Sequence, residues 1–277
     1  MSSPPKPGIE ILRPPAGRQF TCALLDFDGT ISLIRQGWQD VMIPMMMKVL
    51  SGLDHGLSES QLHDLIREDV TVLTGRQTIY QMIRLAERVR QFGGTPAEPL
   101  EYKREYHRRL MARIAHRRQG LARGECPPDT MMLAGARPML EALRTRGLKL
   151  YLTSGTDEPY VVEEARLLQI AQYFDGGIYG ARDDYKTYSK AAVVRRMLSD
   201  NRIAGPDLLG IGDGFVEIVN VREVGGYAVG VASDEARGGG RADAWKRDRL
   251  IQAGADMIVP DFANLEGILE VLFGPGS

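Results

Sequence analysis

The stretch Phe20-Thr-Cys-Ala-Leu-Leu-Asp26-Phe-Asp28-Gly-Thr30 decides the fold. Up to Leu25 it is a nearly continuous apolar run, without the polar alternation of a strand that keeps one face wet. It therefore predicts a strand buried on both faces, as in a parallel sheet covered by helices. The run ends abruptly in two aspartates separated by one residue, placing acidic side chains where such a strand meets solvent.

After Pro127-Pro128 similar runs recur, alternating with helical patterns. Leu148–Thr153, Gly177–Tyr179, Leu208–Ile211, Tyr227–Val231 and Met257–Val259 read as strands. Helical stretches lie near Pro159–Leu168, Lys190–Leu198, Val216–Glu223 and Leu265–Leu272, with another opened by Pro138 and closed by Gly147. This alternation predicts the α/β class, with a Rossmann-like, doubly wound parallel sheet as core. Between residues 34 and 126 the texture is helical, as in Gln61–Asp69, Arg76–Arg90 and Glu101–Arg118. The first strand has no counterpart there and matches those beyond 127. The expected organisation is a discontinuous core of residues 21–33 and 127–277 and an inserted all-helical cap domain over 34–126. Residues 1–20, proline-rich and without a continuous apolar stretch, are expected to form a flexible tail.

Composition narrows the partners. Among 277 residues, 35 Lys and Arg balance 36 Asp and Glu, for a formal charge of −1, so no overall field draws the chain to nucleic acid or a membrane surface. Glu101–Arg118 is locally basic, but without interleaved aromatics it reads as a solvated helix face. Neither a secretory segment nor a membrane span can be drawn, and two cysteines, Cys22 and Cys126, fit a reducing compartment. A cytoplasmic location is the expectation. Gly210-Ile-Gly212-Asp-Gly214 lacks the third glycine spacing of a dinucleotide fingerprint, and no Walker-type phosphate loop occurs.

In a parallel sheet the ligand site forms at the carboxyl ends of the strands. Asp26 and Asp28 follow the first strand, Thr153 and Ser154 the second, Lys190 heads a helix, and Asp213 follows Leu208–Ile211. In this order and at these boundaries the sequence resembles the haloacid dehalogenase superfamily of phosphohydrolases. Asp26-Phe-Asp28-Gly-Thr30 is similar to its DxDGT motif, Thr153 in Leu-Tyr-Leu-Thr-Ser to its second motif, Lys190 to its third and Gly212-Asp213-Gly-Phe-Val-Glu217 to its acidic fourth. The insertion between the first two motifs resembles the helical C1 cap.

The chemistry of these residues points the same way. Cleaving a phosphate ester needs a nucleophile, a proton donor and compensation for concentrated negative charge. Asp26 would attack phosphorus to give an aspartyl-phosphate, and Asp28 would protonate the leaving oxygen and later deprotonate water. Mg²⁺ suits an oxygen-rich site of few carboxylates, here Asp26 and Asp213, whereas the four histidines lie in the helical block without metal-ligand spacing. The resemblance implies that the Asp28 backbone carbonyl adds a ligand and that Glu217 acts directly or through a bound water. Thr153 and the N–H groups after it, beginning with Ser154, would donate to phosphoryl oxygens, and Lys190 would neutralise charge. Lys186 competes for that last role; Lys190 is preferred because its interval to Asp213 accommodates one helix and one strand.

Two arginines are candidate substrate contacts: Arg76, at a helix start in the inserted block, and Arg35, beside the first motif. The expected activity is Mg²⁺-dependent hydrolysis of a small phosphorylated metabolite such as a sugar phosphate or phosphoglycolate. The runner-up is a phosphomutase resembling β-phosphoglucomutase, and a phosphate-ligand sensor without turnover is the alternative from another class. Substrate identity and oligomeric state are not legible in the sequence.

Overall fold

The computed structural model describes residues 8–15, 17–183, 190–235 and 237–275. Lys186 lies outside them. The predicted first strand is β2 (Cys22–Asp26), preceded by a short β1 (Glu10–Ile11). The others are β3 (Lys149–Asp157), β4 (Gly177–Ala181), β5 (Leu208–Gly212), β6 (Tyr227–Val231) and β7 (Met257–Val259). They form one sheet in the order β1-β7-β6-β5-β2-β3-β4, parallel throughout except for the antiparallel β1–β7 pair.

Alternate residues of β2 feed two cores, because successive side chains in a strand point to opposite faces. Ala23 and Leu25 join a cluster that includes α5 (Ala136–Thr145), α6 (Glu158–Leu167) and α10 (Leu265–Phe273). Cys22 and Leu24 join the other, under α7 (Lys190–Asn201), α8 (Phe215–Glu223) and α9 (Ala244–Gln252). The architecture is thus the expected doubly wound α/β sheet. β2 sits at its switch point, with β3 on one side and β5 on the other, the position where such sheets open a ligand crevice.

Between β2 and β3 lie α1 (Gln39–Leu50), α2 (Glu59–Val72), α3 (Thr78–Gln91) and α4 (Pro99–Ala122). Each buries one stripe, such as Leu62, Ile66 and Val70 at one-turn spacing on α2. Met42, Met45 and Met46 of α1 are packed in this interior. The two connections to the sheet run side by side: the Leu33 N–H donates to Met131 O and the Leu133 N–H to Ile31 O, each at 2.9 Å. Among the described residues no helix is long and apolar enough to cross a membrane.

The expectation of a flexible tail over residues 1–20 is corrected for the part described. β1 covers the outer edge of β7, and Arg13 donates to Asp256 at 2.6 Å. Arg18 donates to Gly225 O at 2.7 Å, and Glu10 pairs with Arg247. The physical reason is the Asp256 carboxylate, which is 1% exposed and needs cationic partners at the sheet edge. Arg13 and Arg222 supply them.

Candidate active site

Asp26 is the last residue of β2 and Asp28 lies two residues on, with the fully buried Phe27 side chain anchoring the turn between them. The chain folds back there through Ile31 N–H and Ser32 N–H bonds to Phe27 O. Gly29 is required: its φ is +76°, and a Cβ would lie 2.4 Å from Asp213 Oδ2. Thr30, fully buried, accepts the Asp213 N–H at 2.9 Å, tying the end of β2 to the end of β5.

Around Asp26 the sheet gathers most of the expected residues. Lys190, the first residue of α7, places Nζ 3.0 Å from Asp26 Oδ1 and also pairs with Glu217 of α8. Thr153 faces Asp26 in the β2–β3 register, and its buried hydroxyl has no partner among the described residues. β3 runs past the predicted end to Asp157, with an irregularity after Thr153. This extension carries Ser154 and Thr156, whose hydroxyls donate to Asp28 Oδ2 at 2.9 and 3.0 Å. The Ser154 hydroxyl is therefore engaged with Asp28, and the expectation of a phosphate contact falls on its backbone N–H alone.

Two further expectations are met differently. Arg35 lines the cavity, but its side chain is buried and donates to Glu164 at 2.9 and 2.8 Å, with Nε 3.8 Å from Asp28 Oδ1. Its charge adjoins Asp28 rather than projecting free toward a substrate, because a guanidinium this deep needs a carboxylate and Glu164, 0% exposed, is that partner. Glu217 is likewise buried against Lys190 and is absent from the cavity wall, whereas Asp213 is in it. The structure thus gives Glu217 a lysine partner where a cation ligand was expected.

The helical block roofs this cavity. Thr74, Gly75 and Arg76, between α2 and α3, lie directly on the last residues of β3 and on the loop that follows β5. A Cβ on Gly75 would be 3.1 Å from Gly214 Cα, and one on Gly155 would be 2.7 Å from Arg76 O. Arg76 reaches the cavity with an exposed side chain, its guanidinium 5.8 Å from the Tyr80 ring and 5.9 Å from that of Phe215. Tyr106 and Leu110 of α4 and Trp38 complete an aromatic and apolar side.

Acidic groups dominate the floor. Burial pushes the Asp26 carboxyl up to about 7; Lys190 pulls it down, and Asp213 and Asp28 raise it. Glu235, which also lines the cavity, is raised by burial. Lys246 of α9 stands beside Asp213 and Glu235 at 2.9 and 2.8 Å. Burial alone would lower its pKa, but these two carboxylates hold it above the ordinary lysine value. Among the described residues no three His, Cys, Asp or Glu side chains are arranged to hold an ion unaided. The donors at hand suit Mg²⁺, which takes one or two carboxylates with water and a substrate phosphate completing its octahedron. Burial, reinforced by the neighbouring carboxylates, disfavours the charged form of Asp26, and a divalent cation would relieve that.

Sequence reasoning missed Thr156, Glu164, Glu235 and Lys246. Glu164 had a signal, since it falls in the buried stripe Val161, Glu164, Ala165, Leu168 where an apolar residue is expected. Lys246 had a weaker one, as it follows Asp243, which caps α9 by accepting the Lys246 N–H at 2.7 Å. Glu235 lies in a loop without periodicity and had none.

Comparison with known proteins bears on the family and the fold. Residues 20–219 match the model of the haloacid dehalogenase-like hydrolases. A search of curated proteins gave no match. Among solved structures, β-phosphoglucomutase from Clostridium difficile superposes with a TM-score of 0.63 at 16% identity, over 92% of this chain and 97% of that one. A predicted phosphoglycolate phosphatase from Haemophilus somnus 129pt gives 0.58 at 18% identity, over 90% and 98%. A predicted phosphatase from Clostridium acetobutylicum gives 0.58 at 18%, over 91% and 99%. At such identities the likeness is one of fold.

Proposed function

Because the chain belongs to the haloacid dehalogenase-like hydrolases, we propose that it is a Mg²⁺-dependent phosphatase of small phosphorylated metabolites, with Asp26 as nucleophile. The observation that carries this reading is the Asp26 carboxylate at the end of the central strand, buried, 3.0 Å from the Lys190 ammonium and next to Asp28 and Asp213. Asp26, the Asp28 backbone carbonyl and Asp213 would hold Mg²⁺. When bound, the ion would neutralise phosphoryl oxygens and keep the nucleophile ionised.

The remaining chemistry is assigned to the chain itself. An Asp26 oxygen bonds to phosphorus while the bond to the leaving oxygen breaks, and Asp28 gives that oxygen its proton. Water then attacks the aspartyl-phosphate, Asp28 takes a proton from it, and Asp26 and inorganic phosphate are regenerated. Ser154 and Thr156 fix the Asp28 carboxylate by two hydroxyl donors, so that the proton moves along one direction. Lys190 offsets the charge that gathers between carboxylate and phosphate, with Glu217 orienting it. Thr153 and the backbone N–H groups after it are assigned to phosphoryl oxygens. The helical block, read as a cap over residues 34–126, excludes water during the first transfer and presents Arg76 to the leaving group.

The test is phosphate release across a broad panel of phosphorylated metabolites with Mg²⁺, for wild type and Asp26→Asn. Turnover that survives the substitution refutes the nucleophile. Isomerised sugar phosphate without inorganic phosphate would replace hydrolysis by a mutase reaction. Tight binding with no turnover on the whole panel would favour a sensor.

A further inference from the structure

Lys246 and Glu235 stand partly buried at the site but have no part in the chemistry assigned above. Residue 246 also lies beyond the span that matches the family model. The lysine is the third residue of α9, and its Nζ meets three acceptors: Asp213 Oδ2 at 2.9 Å, Glu235 Oε1 at 2.8 Å and Ser233 Oγ at 3.1 Å. An ammonium has three protons, so its capacity is filled. Ser233 in turn donates to Gly29 O at 2.9 Å, which locks the group against the turn after β2. The two carboxylate oxygens converge on one place: a Cβ built on Gly29 would be 2.4 Å from Asp213 Oδ2 and 2.9 Å from Glu235 Oε1.

We propose that Lys246 is a resident cation of the site, which shares the Asp213 carboxylate with the divalent ion and thereby holds down the affinity for that ion. The inference rests on the reading of Asp213 as a ligand. In the metal-free protein Lys246 spares two partly buried carboxylates from facing each other uncompensated. A divalent cation arriving at Asp213 then meets a carboxylate already half-claimed and a positive charge one hydrogen bond away. Removing that charge takes away a repulsion and releases a ligand oxygen; either effect tightens binding. At an effective dielectric of about 20, a unit charge this near a divalent ion alters its binding by tenfold or more.

The experiment titrates Mn²⁺ into full-length, chelator-stripped protein, with free Mn²⁺ followed by electron paramagnetic resonance. Lys246→Met is expected to bind at least tenfold more tightly than wild type, and Lys246→Arg within about threefold of it. Equal or weaker binding by Lys246→Met overturns the proposal. Should that variant not fold without metal, the comparison passes to Glu235→Gln against Lys246→Met/Glu235→Gln, where loss of the lysine must again tighten binding. Asp213→Asn separates the two readings: if it binds Mn²⁺ as wild type does, Asp213 is not a ligand and the site reading itself fails. If it abolishes binding while Lys246→Met leaves affinity unchanged, only the role of Lys246 fails.

Discussion

Replacing Asp26 by asparagine should stabilise the metal-free protein while abolishing its turnover. The rise from an ordinary aspartate value to about 7 corresponds to about 4 kcal/mol of lost stability once the carboxyl is ionised, at 1.36 kcal/mol per pH unit. That figure is already net of the attraction to Lys190; part of it is lost because an amide copies the protonated carboxyl imperfectly, its NH2 group being a second donor beside Lys190, which keeps Glu217. A net gain of about 2–3 kcal/mol above pH 7 remains, or roughly 4–10 °C in Tm. The sign follows from proton uptake. Below about pH 4 the aspartate is protonated in native and unfolded chains alike, and the substitution has no charge to remove. Between there and about 7 the native wild type retains a proton that the unfolded chain releases, so its stability falls as pH rises. Calorimetric melts in chelator from pH 4 to 9 should therefore show a gap between variant and wild type that opens up to about pH 7 and then stays level. Mg²⁺ should narrow it by raising the wild type alone. A gap independent of pH, or a variant less stable than wild type at pH 8, would refute the reasoning.

Other perturbations address separate contacts. Glu164→Gln leaves the buried Arg35 guanidinium without its carboxylate and should cost about 3–5 kcal/mol in denaturant unfolding; joint replacement by Arg35→Met and Glu164→Leu should recover most of it. Lys190→Met removes the cation 3.0 Å from Asp26 and should lower kcat by about 10²–10³, read in the phosphate-release assay with whichever ester the panel identifies. Gly75→Ala puts a methyl 3.1 Å from Gly214 Cα at a φ of +89°, strain of about 1–2 kcal/mol. It should lift the helical roof and reduce kcat/KM with little change in the far-UV circular dichroism.

The parallel core was legible because its strands are buried on both faces: Cys22–Leu25, Leu208–Ile211 and Tyr227–Val231 are apolar runs that no surface element would carry. Strand β3 was cut short in the reading because its last turn of sequence, Ser154 to Asp157, is polar for chemical reasons and hides an extended backbone. β1 was invisible, being two residues in a proline-flanked stretch that pair with a strand almost 250 positions away. α9 escaped because Leu250 is its single fully buried residue, so apolar periodicity had nothing to register. At the site, the residues at strand ends were found by position. Those that act through a partner, Glu164 on Arg35 and Lys246 on Asp213, depend on pairs separated by 129 and 33 positions. Pairing at such distances leaves no local pattern.

Placing the Asp26 strand in the middle of the sheet has a cost in time. Its hydrogen-bonding neighbours, Lys149–Asp157 and Leu208–Gly212, are synthesised more than a hundred residues later. During vectorial synthesis, the four helices from Gln39 to Ala122 can fold soon after emerging, since their contacts are mostly near in sequence. The apolar segment Cys22–Leu25 must instead wait, unpaired on both edges until the ribosome has passed residue 157 and on one edge until it has passed residue 212. That interval is when the nascent chain is most exposed to aggregation and most dependent on chaperones.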